Sequence, residues 1–311
     1  LNTPVAIGFD IGGTNVRAAA ITATGTIIDR EHKQSHGEAA SMEDAIVAMT
    51  QTLSSRHEVA AVGIAVAGFL DEHRQNVRFA PHLPWRDAPL QQRLSQRLGI
   101  PVSLEHDANS AARAEAAFGA AQQADTWAFI SIGTGIGGAV MTGGEIYRGA
   151  FGTAPEIGHL PVVPGGRPCP CGKRGCLERY CSGTALAATA QEIAVAEGAP
   201  EQLWTGESVI AAARAGNSIG KRAIVEFSSW LGVALSIMSD MFDPELIVIG
   251  GGVAQNHDLF LVDGVEKARG LVVGAGHRPF PQVVPAALGA DAGMIGAAHL
   301  ALTESRQDTA R

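Results

Sequence analysis

Short apolar runs closed by glycine alternate along the chain with helical spacings. Residues 5–9 (VAIGF) form an apolar run that stops at Asp10. After Gly12, Gly13, Thr14 and Asn15 the apolar pattern resumes over 16–21, and a turn at Gly25 leads into TIIDR. This pattern predicts strand, glycine turn, strand, turn, strand. Over 38–56, Met42, Ile46, Met49 and Leu53 recur at three- and four-residue spacings, which predicts a helix. A strand over 59–66 is broken by Ala67-Gly68; 71–86, with Pro81 and Pro84, reads as loop, and a helix over 87–98 stops at Gly99. A short strand, PVSLE at 101–105, delivers His106, Asp107 and Asn109 just ahead of an alanine-rich helix over 108–118. Reactive side chains in open α/β sheets are presented at such carboxyl ends, so Asp107 is the best-placed candidate base, with a plain helix N-cap as the simpler alternative.

In the second half a strand over 127–132 runs into GTGIGG. Gly133, Gly135 and Gly138 formally fit GxGxxG, but the next residues, AVMTGGEIYRG, read as another strand and turn. A dinucleotide fingerprint should open a helix, so that reading is weak. The stretch instead parallels the first hairpin, and two such units would clamp a polyphosphate. Helices are expected over 183–198 and 207–215, and a long buried one over 219–240. ELIVIGGGV is a strand running into Gly250, Gly251 and Gly252. A helix over 259–269, a strand over 282–284, a small-residue helix from Gly289 and a frayed tail from Thr303 complete the pattern.

The length of 311 residues, with 46% hydrophobic and 17% charged, suits two α/β domains with sizeable cores. The formal charge of −8 argues against nucleic acid as the main ligand, since a phosphate backbone needs a basic surface. It leaves room for a small anion held by backbone N–H groups. Neither a signal-peptide pattern nor eighteen consecutive apolar residues is found, so no membrane span is expected, and the thiols suit a reducing, cytoplasmic setting.

The densest chemistry lies in EIGHLPVVPGGRPCPCGKRGCLE, residues 156–178. His159, Cys169, Cys171 and Cys176 are soft ligands suited to zinc, bracketed by Glu156 and Glu178. The cysteines sit among Pro, Gly, Lys and Arg, which disfavours simple core packing, and four Cys are too few for a disulfide scaffold.

In order, DIGGTNVR at 10–17, VAGFLD at 66–71, EHDANSAA at 105–112, SIGTGIGGAV at 131–140, PEIGH at 155–159, CPCGKRGCLE at 169–178, CSG at 181–183 and VIGGGV at 248–253 together resemble the ROK (repressor, open reading frame, kinase) family of sugar kinases, in its glucokinase-like branch. The resemblance spans essentially the whole chain. It implies two ribonuclease-H-like lobes of the actin-like ATPase type with a sugar and nucleotide cleft between them. The smaller lobe would hold 1–110, joined by a C-terminal helix at about 290–303, and the larger lobe 111–289 with the zinc loop. It also implies a homodimer. Repressors of the family carry an N-terminal helix-turn-helix domain, for which no room is expected ahead of the first strand.

Carried over residue by residue, the resemblance makes Asp107 the base that takes a proton from the 6-hydroxyl of a hexose. Glu156, His159 and Glu178 would bind sugar hydroxyls, with Gly68, His106 and Asn109 also in the substrate-binding set and Asn109 supporting Asp107. Asp10, Gly12, Gly13, Thr14, Asn15, Gly133, Thr134, Gly135, Gly137, Gly251 and Gly252 would surround ATP, with Asp10 the contact to Mg²⁺ through water. Zinc held by His159, Cys169, Cys171 and Cys176 would be structural, since four protein ligands leave no open position. His159 would bind zinc by one nitrogen and sugar by the other. Two positions depart from the family pattern: His106 stands where Asn is usual, and Ala67 where Pro is common. They bear on the choice of sugar, so glucose, mannose, N-acetylglucosamine and N-acetylmannosamine stay open, as do another phosphoryl donor and a non-enzymatic sugar sensor.

Overall fold

The computed structural model describes residues 4–12, 15–34, 37–200 and 202–309. The chain divides into two compact units, one of residues 1–123, 145–155 and 290–311, the other of 124–144 and 156–289.

In the first unit, β1 (Val5–Ile11), β2 (Asn15–Ile21) and β3 (Ile27–Gln34) form the expected antiparallel hairpins. Helix α1 (Ala39–Ser54) leads to β4 (Val59–Val66), which lies parallel to β1. The stretch expected as a loop instead folds into a small antiparallel sheet of β5 (Phe69–Leu70), β6 (Val77–Phe79) and β7 (Arg86–Ala88). Strands of two or three residues are too short to show a period of two. Helix α2 (Leu90–Leu98) therefore starts three residues later than the spacing suggests, and its left-handed cap is Gly99. Next come β8 (Val102–His106), parallel to β4, and α3 (Asp107–Phe118). The main sheet runs β3–β2–β1–β4–β8, a ribonuclease-H-like order. Val5, Ile7, Phe9, Val62 and Ile64 pack with Met42, Ile46 and Leu53 of α1 in its core.

In the second unit, β9 (Trp127–Ile132) and β10 (Ile136–Thr142) form a hairpin. The two-residue strand β11 (Glu145–Ile146) follows, in a segment that belongs to the first unit. Helices α4 (Gly183–Ala196), α5 (Gly206–Arg214) and α6 (Ser218–Phe242) precede β12 (Leu246–Gly250), α7 (Leu261–Leu271) and β13 (Gln282–Pro285). β9, β12 and β13 are parallel neighbours. Helix α6 is long and apolar enough by composition to cross a membrane, but over half of its apolar window is buried, with Phe227, Leu231 and Leu235 in the same core as Ile130 and Ile247.

The chain then returns to the first unit as α8 (Ala292–Thr309), so the stretch expected to fray from Thr303 is helical to Thr309. Glu304 is one reason: it accepts from Arg74 Nη2 (2.6 Å) and Ser103 Oγ (2.5 Å). Helix α8 crosses β4 and α3 at backbone contact; a Cβ on Gly63 would lie 1.8 Å from Ala297 O, and one on Gly296 1.7 Å from Ser110 O.

Candidate functional site

In the first unit, strand register gathers the candidate residues. Asp10, Ala65 and Glu105 form one row across β1, β4 and β8, and Ile11, Val66 and His106 form the next, at the carboxyl edge. Asp107 opens α3 one residue beyond that edge, one residue earlier than the expected helix start, and the N-cap position falls to His106. Its Oδ1 accepts from the Ala108 N–H (2.7 Å) and lies 3.3 Å from His106 Nδ1. With 45% of its side chain exposed, Asp107 is available to a substrate.

Asp10 is engaged by Arg17, its cross-strand partner on β2, through Oδ2. Arg17 also donates to Ala290 O (2.9 Å), and Asp291 is bound by both terminal nitrogens of Arg30 (2.9 and 2.7 Å). Burial pushes the Asp10 carboxyl above the usual carboxylate range; Arg17 opposes this, while the charges of Asp107 and Asp291 add to it. Asp291 is held below that range by its bonds to Arg30.

Gly12 N–H donates to Asn15 O (2.9 Å), closing the first hairpin, and Asn15 Oδ1 lies 3.2 Å from His32 Nε2. Gly13 and Thr14 lie outside the described residues. Gly68 has a packing reason to be glycine, because a Cβ there would lie 2.6 Å from the Ala80 Cβ. Asn109 is buried, and its Nδ2 donates to Glu105 Oε1 (3.3 Å).

In the second unit the turn between β9 and β10 carries Gly133, Thr134 and Gly135. The amino end of α4 docks on it: Gly183 N–H donates to Gly133 O (2.8 Å) and Thr184 Oγ1 to Thr134 O (2.7 Å). Gly137 lies within β10. Gly251 follows β12 at φ +86°, where a Cβ would lie 2.4 Å from Ile132 O, so this position requires glycine. Gly252 next to it faces open space. Glycines thus keep the ends of β9 and β12 free of side chains, as close approach of a phosphorylated ligand requires.

Glu156 precedes and His159 ends a single 3-10 turn, Ile157–His159, and Glu178 lies in a second, Leu177–Arg179. The ligand atoms of His159, Cys169, Cys171 and Cys176 lie within 4.8 Å of one another. Cys171 and Cys176 Sγ are 3.6 Å apart, and Cys169 Sγ is 3.7 Å from His159 Nδ1. Two thiolates on one tetrahedral zinc stand roughly 3.8 Å apart, so the donor set fits that ion. Loop hydrogen bonds hold the geometry, among them Cys169 N–H to Lys173 O (3.0 Å) and Leu177 N–H to Leu160 O (2.9 Å). The fourth cysteine, Cys181, is a fully buried core residue whose thiol burial pushes up. Glu178 Oε1 lies 3.1 Å from Cys169 Sγ and 3.6 Å from His159 Nδ1.

A model of the ROK family matches residues 6–304. The chain belongs to the ROK family. This ROK chain is 36% identical over 308 residues to the glucokinase of Streptomyces coelicolor, covering 95% of this chain and 96% of that protein. It is 38% identical to a ROK family glucokinase of Streptomyces griseus solved in complex with glucose and AMPPNP, with a TM-score of 0.86 and coverage of 96% and 99%. A ROK hexokinase from Thermus thermophilus is 31% identical, with a TM-score of 0.83 and coverage of 97% and 99%. The ROK chain lies in the glucokinase-like branch, with the two-lobed α/β fold expected from its motifs.

Sequence reasoning missed three charged residues of this ROK chain. Arg17, in the quoted DIGGTNVR, was recoverable from the hairpin register that sets it opposite Asp10. Glu105 was quoted as a strand end yet proves to be a buried acceptor. Its ion-pair partner Arg148 comes from a non-periodic segment forty-three residues away, which no local pattern connects to it.

Proposed function

We propose that this chain is an ATP-dependent glucokinase that transfers the γ-phosphoryl group to the 6-hydroxyl of glucose. The observation that carries the reading is the half-exposed Asp107, placed by β8 at the head of α3, in a chain 38% identical over nearly its whole length to a glucokinase solved with glucose and AMPPNP.

In this reading Asp107 accepts the hydroxyl proton as the oxygen attacks phosphorus, and its hydrogen bond from the Ala108 N–H fixes the carboxylate plane. Glu156, His159 and Glu178 hold sugar hydroxyls. His159 presents Nδ1 toward Cys169 and Glu178 and Nε2 toward Glu156; in this reading Nδ1 would serve the metal loop and Nε2 the sugar. The described turn residues Gly12, Asn15, Gly133, Thr134, Gly135, Gly137, Gly251 and Gly252 form the nucleotide-binding set, with Gly13 and Thr14 assigned to it from sequence. Mg²⁺ bound with the nucleotide would supply charge neutralisation at the transferring group. Asp10 is the residue that would hold it through water; Arg17 occupies its Oδ2. Zinc would be structural, held by His159, Cys169, Cys171 and Cys176, and would keep Glu156, His159 and Glu178 in register.

The deciding experiment is a coupled ADP-release assay on glucose, mannose, N-acetylglucosamine and N-acetylmannosamine. Glucose is expected to give the highest kcat/KM. A preference for an N-acetylhexosamine would reassign the substrate, and no ADP release with any of the four would remove the kinase reading.

A further inference from the structure

Glu105 immediately precedes the pair His106-Asp107, and its side chain is the most enclosed carboxylate near them, at 1% exposure. Its two oxygens are divided between two tasks. Oε1 accepts the backbone N–H of His106 (3.0 Å) and Asn109 Nδ2 from the first turn of α3 (3.3 Å). These two donors lie on either side of Asp107 in sequence, so one buried oxygen pins both shoulders of the corner that carries it. Oε2 is ion-paired with Arg148 Nη2, and Arg74 Nη1 lies 3.8 Å away.

The surroundings make this corner rigid. Arg74 is itself fixed by Glu304 of α8 (2.6 Å), which also accepts from Ser103 of β8 (2.5 Å). Arg148 donates to Ile146 O (3.2 Å), and its carbonyl accepts from Ala154 N–H (3.1 Å), closing residues 148–154 into a loop. That loop runs directly into Glu156. A buried carboxylate stripped of its paired counter-charge is strongly disfavoured, and of the guanidinium groups facing Glu105 it is Arg148 that closes on Oε2, with Arg74 3.8 Å away.

We propose that Glu105 and Arg148 are positioning residues for the phosphoryl-transfer step: their ion pair sets the direction of the Asp107 carboxylate. The inference rests on Asp107 being the base. Neither residue is required to touch the sugar or ATP. A shift of about 1 Å in a reacting group lowers turnover on the order of 10²-fold, so a loosened corner acts on kcat and leaves ground-state binding of sugar in place.

The test is steady-state kinetics and thermal denaturation of the full-length protein, with Asp107→Asn as reference. Glu105→Gln keeps the shape and removes the charge; Arg148→Met removes the partner; Arg148→Lys keeps the charge alone. For Glu105→Gln and Arg148→Met, kcat is expected to fall about tenfold or more, with KM for glucose and ATP within about twofold of wild type. Arg148→Lys should recover part of the Arg148→Met loss. The double variant should be no slower than the slower single, because both remove one interaction. If Glu105→Gln does not fold, the Arg148 pair decides alone. A kcat within about twofold of wild type in Arg148→Met, or equal losses in kcat, KM and stability that Arg148→Lys does not recover, overturns the proposal. If Asp107→Asn keeps near-normal turnover, the base assignment fails and this inference fails with it, a result distinguishable from failure of the ion pair alone.

Discussion

The imidazole of His159 stands between two side chains: Nδ1 lies 3.7 Å from Cys169 Sγ, and Nε2 lies 3.9 Å from Glu156 Oε2. A ring fixed on one side by a metal presents its other nitrogen in a set tautomer and direction. Replacing the buried ligand Cys176 by Ser is therefore expected to lower bound zinc and raise KM for glucose about 10- to 100-fold, the range typical of disturbed metal-site partners. Elemental analysis and glucose titration on the same preparation check this. Full glucose affinity in zinc-depleted protein would show that the loop and the sugar are uncoupled.

Asp107 is half exposed at the head of α3, so its loss should leave the fold intact. Asp107→Asn is expected to lower kcat by about 10²- to 10⁴-fold, the usual contribution of a general base, while glucose affinity measured by calorimetry changes little. Loss of glucose binding in parallel with turnover would assign Asp107 to binding instead of proton transfer.

The elements read correctly from sequence were those with a full period. Strands β1, β2 and β4 are buried apolar runs and helix α1 buries one apolar face, and both kinds of burial appear in the sequence pattern; β3, with no buried residue, was read from the turn at Gly25 that precedes it. The sheet of β5, β6 and β7 left no such trace, because its strands are two or three residues long and each buries a single residue, Leu70, Val77 and Ala88. The cluster of His159 with the three cysteines was legible because three of its members lie within eight residues. The pairing of Glu105 with Arg148 was not, since a long-range ion pair leaves no mark on the local pattern of either partner. The helical course of α8 past Thr303 was missed for a similar reason. Its anchor at Glu304 comes from Arg74 and Ser103, both distant in sequence.

Two carboxylates at one end of the first sheet should answer acid in opposite ways. Asp291 has its proton affinity lowered by the bonds from Arg30, so it contributes stability above the unfolded carboxylate range, lost as pH falls through its folded pKa. Asp10 has its affinity raised by burial, so its ionised form disfavours the fold, and that penalty is relieved as pH falls through its folded pKa toward the unfolded value. Thermal melts from pH 6 down to about pH 3 are expected to show a shallower acid loss for Asp291→Asn and a steeper one for Asp10→Asn than for wild type. Equal slopes in all three proteins would contradict these assignments.

Gly135 and Gly251 both belong to the proposed nucleotide-binding set, but substitution should separate them. A Cβ on Gly135 would lie 2.6 Å from Glu178 Oε2, the far end of a side chain that can swing away. A Cβ on Gly251 would lie 2.4 Å from Ile132 O, at φ +86°, where the obstacle is backbone and the conformation itself disfavours alanine. Gly135→Ala is therefore expected to displace Glu178 and raise KM for glucose several-fold with little loss of stability. Gly251→Ala should destabilise the second unit by about 1–2 kcal/mol from the left-handed backbone, with an overpacking cost of about 1–3 kcal/mol added. Denaturant unfolding and glucose kinetics on both variants decide the matter: a Gly135→Ala enzyme with unchanged KM would mean that Glu178 does not hold the sugar.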